Sequence, residues 1–200
     1  MQIDTDHIHY WMQAIRNSEN PMRTMDAFWS GQLKSKEWLI ESLSMHSSIK
    51  SGPYDVDIYG GWVGVLASML FQSTIPICKI RSIDIDHTCE SIATMMNKRE
   101  EIQGRFSAIT ADMCDTPSEA NIIINTSCEH ITQSQYQKWL NLIPNDRLLV
   151  LQSNNYSIPE HIRIANNLDE FKSQSRIDVV WAGELELPLY TRYMIIGTKQ

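Results

Sequence analysis

The chain has 200 residues, 42% of them apolar and 20% charged. That balance excludes an intrinsically disordered chain, and the length fits one ordinary domain with a buried core. Seventeen Lys and Arg against 24 Asp and Glu leave a net charge of −7, which disfavours a strong footprint on duplex nucleic acid. Lys34, Lys36, Lys50, Lys79 and Arg81 lie in one half of the chain and read as scattered solubilising charge.

The four cysteines, Cys78, Cys89, Cys114 and Cys128, show no C-x-x-C spacing. With no secretory signal read at the start, free thiols and a cytoplasmic location are expected. The longest apolar run, residues 63–71, is too short to cross a bilayer and contains Ser68, so no membrane partner is expected.

The first fifty or so residues read as helices. Ile8, Trp11, Met12 and Ile15 recur at three- and four-residue steps and predict a short amphipathic helix. A second helix is expected within 18–29, started or interrupted at Pro21, and a third opens at Ser35 and carries Trp38, Leu39, Ile40 and Leu43. Ser51-Gly52-Pro53 then breaks the chain. Beyond it, strand-like runs at 56–59, 80–85, 106–110, 122–125 and 148–152 alternate with helical stretches at 62–72, 88–98, 132–142 and 159–172. The apolar runs Ile122-Ile123-Ile124 and Leu148-Leu149-Val150-Leu151 suit parallel strands covered on both faces. Right-handed crossovers give a doubly wound, Rossmann-like sheet. Two late strands, 177–181 and 193–198, have no helix-length pattern between them and predict an antiparallel hairpin at one sheet edge.

The expected architecture is therefore a mostly parallel seven-stranded α/β sheet ending in a hairpin. Residues 1–200 form one domain, with 1–52 as a helical N-terminal cap and 53–200 as the sheet core. Ligands of such sheets bind beyond the carboxyl ends of the strands. Here those ends carry Asp57 with the Gly60-Gly61 turn, then Asp84 and Asp86, then Asp112 and Asp115, and finally Asn125-Thr126-Ser127-Cys128-Glu129-His130. Paired glycines between an acid-ending strand and an apolar helix place backbone N–H groups beside a carboxylate, an arrangement suited to a nucleotide-like ligand.

In element order, terminal hairpin, glycine turn and acidic strand ends, the chain from Tyr54 onward resembles the class I S-adenosylmethionine-dependent methyltransferases. The resemblance implies S-adenosyl-L-methionine as cofactor. It implies that Gly60, Gly61 and Gly64 pass under that cofactor, that Asp84 holds the ribose hydroxyls and that Asp112 meets the adenine amino group. Asp57 is the candidate carboxylate beside the sulfonium, and Asn125 completes the cofactor set. Tyr59 and Val63 stand where the family commonly has small residues, and Trp62 either stacks on the ligand or packs under the loop. A dinucleotide such as NAD would need G-x-G-x-x-G, which residues 60–67 lack.

The fourth strand end falls where this family places residues facing the transferred methyl. His130 and Glu129 are the candidate general bases and Cys128 a candidate nucleophile, each with a structural alternative: loop contact, helix-start charge and packing respectively. Trp29, beside Phe28 in a break between helices, and Gln152 and Asn154 at the fifth strand end are the candidate acceptor-binding residues. His161 is expected early in the following helix. No metal site is expected, the His7 and His9 tract with Asp4 and Asp6 reading as a frayed polar start. The expected activity is methyl transfer to a small molecule or to a nucleotide or nucleic-acid base. Aminocarboxypropyl transfer, cofactor cleavage, or a noncatalytic binding subunit are the alternatives, and the oligomeric state is open.

Overall fold

A computed structural model describes residues 5–46, 49 and 52–199. Asp4, Lys50 and Ser51, on which parts of the sequence reading draw, lie outside the described residues. Seven strands form one sheet in the order β3-β2-β1-β4-β5-β7-β6: β1 (Tyr54–Tyr59), β2 (Ile77–Asp84), β3 (Phe106–Thr110), β4 (Ile122–Asn125), β5 (Leu148–Asn154), β6 (Ile177–Glu186) and β7 (Thr191–Lys199). The pairs β1–β2, β2–β3 and β4–β5 are parallel, and β7 runs antiparallel to both β5 and β6. The mostly parallel sheet with a terminal antiparallel hairpin is the expected one. The chain groups into two compact units, Met1–Ala111 and Asp112–Gln200.

The first unit carries α1 (Thr5–Asn17), α2 (Pro21–Asp26), α3 (Ser30–Met45), α4 (Val65–Phe71), α5 (Thr88–Met96) and α6 (Lys98–Ile102). Pro21 occupies the first turn of α2, where its missing N–H would have no helical partner, and the Asn20 side chain accepts the Arg23 N–H. The expected face of α1 is turned inward only in part, Trp11 and Ile15 being half-buried. Ile8 and Met12 are exposed, whereas His7 and Ala14 are buried. His7 turns inward to within 3.4 Å of the Glu100 carboxylate of α6. Because this segment is helical, His7 and His9 diverge, His9 lying on the surface against Gln13.

A core cluster joins Ala14 and Ala27 of the N-terminal helices to Val63, Val65, Met69, Cys89, Ile92 and Met96, with Trp11, Phe28 and Trp62 packed against it. Trp11 donates its indole N–H to Ser68 Oγ at 3.0 Å, and Arg23 pairs with Asp86 at 2.6 Å. Removing a buried aliphatic side chain from such a cluster costs about 2–5 kcal/mol. The N-terminal helices are therefore fastened onto the segment that follows β1 and the end of β2.

The second unit holds α7 (Gln133–Asn141) and α8 (Leu168–Ser175) with β4 to β7. Thr132 and Gln135 form a reciprocal capping box at α7. The apolar runs of β4 and β5 are buried along their length, apart from half-buried Leu148, as parallel central strands require. The expected helix at 159–172 is displaced. Residues 156–167 are irregular, and α8 starts only after the Asn167 side chain caps the Glu170 N–H. The early part of that segment gives its backbone donors to other elements, Arg163 N–H to Glu129 O at 3.0 Å and Ala165 N–H to Asn154 O at 3.1 Å. His161 therefore lies in an irregular segment, not in a helix.

Candidate functional site

In the first unit the chain leaves β1 at Tyr59 and turns sharply, with Gly60, Trp62 and Gly64 all at positive φ (67°, 48° and 79°). Four N–H groups along this turn find a protein acceptor. Gly60 and Gly61 donate to Ile83 O at 2.9 and 3.1 Å, Trp62 donates to Asp84 Oδ2 at 2.7 Å, and Gly64 donates to Gly61 O at 3.0 Å. The helix expected from Trp62 begins only at Val65, because Trp62 and Gly64 are left-handed and Gly64 is its N-cap. The start of the helix is thus later than expected, and the loop ahead of it is tied to β2 and its terminal carboxylate.

The two informative glycines have internal reasons. A Cβ on Gly61 would sit 2.0 Å from Ser82 Oγ on β2. One on Gly64 would meet Asn97 Nδ2 at 2.7 Å and Ala93 at 3.0 and 3.1 Å, besides opposing its φ of 79°. The Asn97 amide also donates to Gly64 O at 3.0 Å. Glycine here lets the loop pass close under β2 and α5.

Asp84 is the hub of this end. Oδ2 takes the Trp62 N–H and Oδ1 takes the Asp86 N–H at 3.0 Å. Each carboxylate oxygen has a second lone-pair direction, so the half-buried group retains acceptor capacity for a diol. Asp86 accepts from Thr88 and pairs with Arg23, and hydrogen bonding from the Thr88 hydroxyl above all holds its carboxyl down at about 2. Burial pushes the neighbouring Cys89 thiol up to about 11, with the Asp84 charge adding to it.

Several sequence candidates in this unit are placed differently from expectation. Asp57 is buried and held by Arg81 through two hydrogen bonds, one of them Nε to Oδ1 at 2.8 Å, so its charge is already neutralised by its β2 neighbour. Tyr59 is fully buried and packs in the core. The Trp62 ring is half-buried and packs against the core cluster. Trp29 is 45% exposed and lies across Gly31 at the start of α3. The break it occupies is ordered, Trp29 N–H reaching Asp26 O at 3.1 Å and Leu33 N–H reaching Trp29 O at 3.0 Å.

In the second unit Asp112 is exposed and caps a short turn, its Oδ1 accepting the Cys114 N–H at 2.8 Å. Asn125, fully buried at the end of β4, folds its side-chain oxygen onto the Ser127 N–H at 3.0 Å. The turn that follows, Cys128–His130, is built on a buried ion pair. Arg192 of β7 donates to Glu129 Oε1 at 2.6 Å, and Asn154 of β5 donates to the same oxygen at 2.6 Å. Arg192 also reaches Thr126 O at 3.1 Å. Arg163 clamps the turn from another side, donating to Cys128 O at 3.1 Å and stacking 4.1 Å over the Tyr136 ring.

This geometry sorts the remaining candidates. Cys128 is fully buried and burial pushes its thiol up to about 12, so it is a protonated packing residue and the nucleophile reading is corrected. Gln152 and Asn154 are buried in the sheet, Gln152 against Met194 and Asn154 on Glu129, which corrects their assignment to an open acceptor rim. His130 is exposed, with Nδ1 3.1 Å from Glu160 O. His161 stands edge-on to it at a centroid separation of 4.7 Å, with its own Nδ1 2.7 Å from Tyr156 O. Arg192 and Arg163 escaped the sequence reading. Arg192 abuts the apolar run Tyr193-Met194-Ile195-Ile196, and a cation at that border was the available signal; nothing in the sequence distinguishes Arg163 from solvent-facing arginines.

No family model matches the chain, and no curated protein matches it in sequence. Solved structures do match in three dimensions. The magnesium protoporphyrin IX methyltransferase ChlM from Synechocystis PCC 6803, with bound SAH, superposes at a TM-score of 0.67 and 13% identity, covering 96% of this chain and 94% of that one. The pyocyanin biosynthetic protein PhzM matches at 0.67 and 14% identity over 95% of this chain, which spans 62% of PhzM. MtNAS in complex with MTA and tNA matches at 0.63 and 10% identity, covering 97% and 70% of the two chains. ChlM is also solved with SAM, so this architecture is one that holds that cofactor. The sheet order, the terminal hairpin and these superpositions together give the chain the class I S-adenosylmethionine-dependent methyltransferase fold.

Proposed function

We propose that this protein binds S-adenosyl-L-methionine and transfers its methyl group to a small molecule or to a nucleotide or nucleic-acid base. The observation that carries the reading is Asp84. It ends β2, accepts the Trp62 N–H of the glycine turn at 2.7 Å, and keeps lone pairs for a ribose diol. Asp112 then takes the adenine amino group by the family's pattern. Asp57 has no free charge to offer a sulfonium, because Arg81 occupies it.

Methyl transfer from a sulfonium is an in-line displacement, so positioning and exclusion of water supply much of the rate. A base is required only where the acceptor must lose a proton. His130 is the side chain we assign to it. Its Nδ1 faces the Glu160 carbonyl, which can only accept, so in the neutral ring the proton sits on Nδ1 and Nε2 carries the free lone pair. Glu129, held by Arg192, positions the turn from which His130 projects. Among the described residues no helix is long and apolar enough to cross a membrane, and a soluble cytoplasmic enzyme fits the reading.

Incubation with methyl-labelled cofactor and fractionated metabolites or nucleic acid tests the assignment. S-adenosylhomocysteine and a labelled acceptor are expected. A second reading, aminocarboxypropyl transfer, is favoured by one observation: a structural neighbour was solved with MTA, the by-product that chemistry leaves. Methylthioadenosine in place of S-adenosylhomocysteine among the products would select it.

A further inference from the structure

The structure assigns a divalent transition-metal site to Glu129, His130 and His161. One ligand atom from each of the three lies within 4.8 Å of the other two. Three features separate this cluster from an ordinary surface grouping.

The first is an orphan. Glu129 is 2% exposed, its Oε1 accepts from both Arg192 and Asn154, and its Oε2 is buried with no hydrogen-bond partner among the described residues. A buried carboxylate oxygen without a partner costs about 1–3 kcal/mol, more for a charged group, and a bound cation removes that penalty. The second is the tautomer of both histidines. His130 Nδ1 faces Glu160 O at 3.1 Å and His161 Nδ1 faces Tyr156 O at 2.7 Å. Both Nδ1 atoms must donate, which leaves both Nε2 lone pairs for a metal. Imidazole ligands are characteristically oriented in this way, by a backbone carbonyl on the far nitrogen. The third is the layer behind the carboxylate. Arg192 and Asn154 fix Oε1, which leaves Oε2 as the oxygen for a cation.

Two imidazoles and one carboxylate suit first-row divalent ions and leave coordination positions open for water or a substrate oxygen. Ligand atoms around a tetrahedral ion at ~2.1 Å stand about 3.4 Å apart, so the three groups close in on the ion when it binds. The Arg192 charge lowers the affinity below that of the same three ligands without a cation behind them. The Nε2 lone pair of His130 serves a proton or a metal, so the base proposed above and this site are alternative uses of one atom. The site itself does not depend on the methyl-transfer reading.

The test uses the full chain with the exposed Cys78 replaced by serine, stripped with chelator and titrated with Co²⁺ while visible absorption is followed. One equivalent is expected, with the intense bands of a low-coordinate site, and Zn²⁺ is expected to displace it. His130→Ala and His161→Ala should each weaken Co²⁺ by about tenfold or more, while His87→Ala, at an exposed position, should not change it. Absence of stoichiometric uptake, or uptake unchanged in the His130→Ala/His161→Ala double variant, overturns the site. The histidine variants keep the test intact if Glu129→Gln fails to fold. S-adenosylhomocysteine binding to the same stripped protein separates the two proposals. Cofactor binding without metal uptake overturns this site and leaves methyl transfer standing, and metal uptake without cofactor binding does the reverse.

Discussion

The turn after β1 and the turn after β4 are built by opposite means. The first is made largely of backbone groups: Gly60, Gly61 and Trp62 close onto Ile83 and Asp84, the last residues of the adjacent strand. Four of its backbone amides have protein acceptors before any ligand arrives. The second is made of side chains drawn from several elements. Glu129 is held by Asn154 and Arg192, its backbone by Arg163, and His130 stands against His161. It concentrates ionised and titratable side chains around one buried oxygen left without a partner. A backbone-built turn of the first kind fixes shape; the second kind stores chemistry, at a risk to stability.

That difference sets the scale of what mutation should do. The largest loss is expected for Arg192→Met, which leaves the Glu129 charge buried without its cation and should destabilise the protein by about 3–5 kcal/mol in chemical denaturation. Arg192→Met with Glu129→Gln removes the uncompensated charge and should recover a large part of that loss. Gly61→Ala is next. Its Cβ meets Ser82 Oγ at 2.0 Å, and relief of that clash should cost about 1–3 kcal/mol. Ser82→Ala in the same chain removes the clashing oxygen and should restore stability in part, a coupling that two independent substitutions would not show.

Smaller effects distinguish the ends further. The Asp86 carboxyl is held at about 2 against an ordinary 3.8 by Thr88 and Arg23. A depressed folded pKa contributes stability that is full above 3.8 and is lost as the pH falls toward about 2. The group is partly exposed, so the contribution is screened and small. Asp86→Asn should flatten the stability profile between those two pH values and lower neutral stability by the same small amount. Thiol labelling gives the smallest signal. Exposed Cys78 should react with an alkylating reagent at pH 8, while Cys128, with its thiol pushed up to about 12, should react only on unfolding.

The same contrast explains how far the sequence alone could be read. The bounds of β4 follow from the apolar run that opens 122–125, because burial of a strand writes itself into consecutive residues. Asp84 could be singled out because its partner, the glycine turn, belongs to the adjoining strand-to-helix unit. The α4 start was set too early because left-handed Trp62 is not something a non-glycine residue announces. Residues 156–167 carry helix-compatible composition, yet their backbone donors serve Glu129 and Asn154, a tertiary demand that local pattern does not carry. Gln152 and Asn154 were read as a polar rim for the same reason: hydrogen bonding of Asn154 to Glu129, twenty-five residues away, keeps its amide inside. His7 is buried 3.4 Å from Glu100, an inward polar residue that the apolar stripe of α1 does not announce.

Calorimetric titration of S-adenosylhomocysteine into the wild-type protein and into Asp84→Asn bears most directly on the assignment of the cofactor. Asparagine keeps one acceptor oxygen for the Trp62 N–H while removing the charge that would hold a ribose diol. One-site binding is predicted for the wild type, weakened about ten- to a hundredfold in Asp84→Asn, the range expected for loss of a charged hydrogen-bond acceptor. No heat at millimolar ligand, or equal affinity in the two proteins, would contradict it.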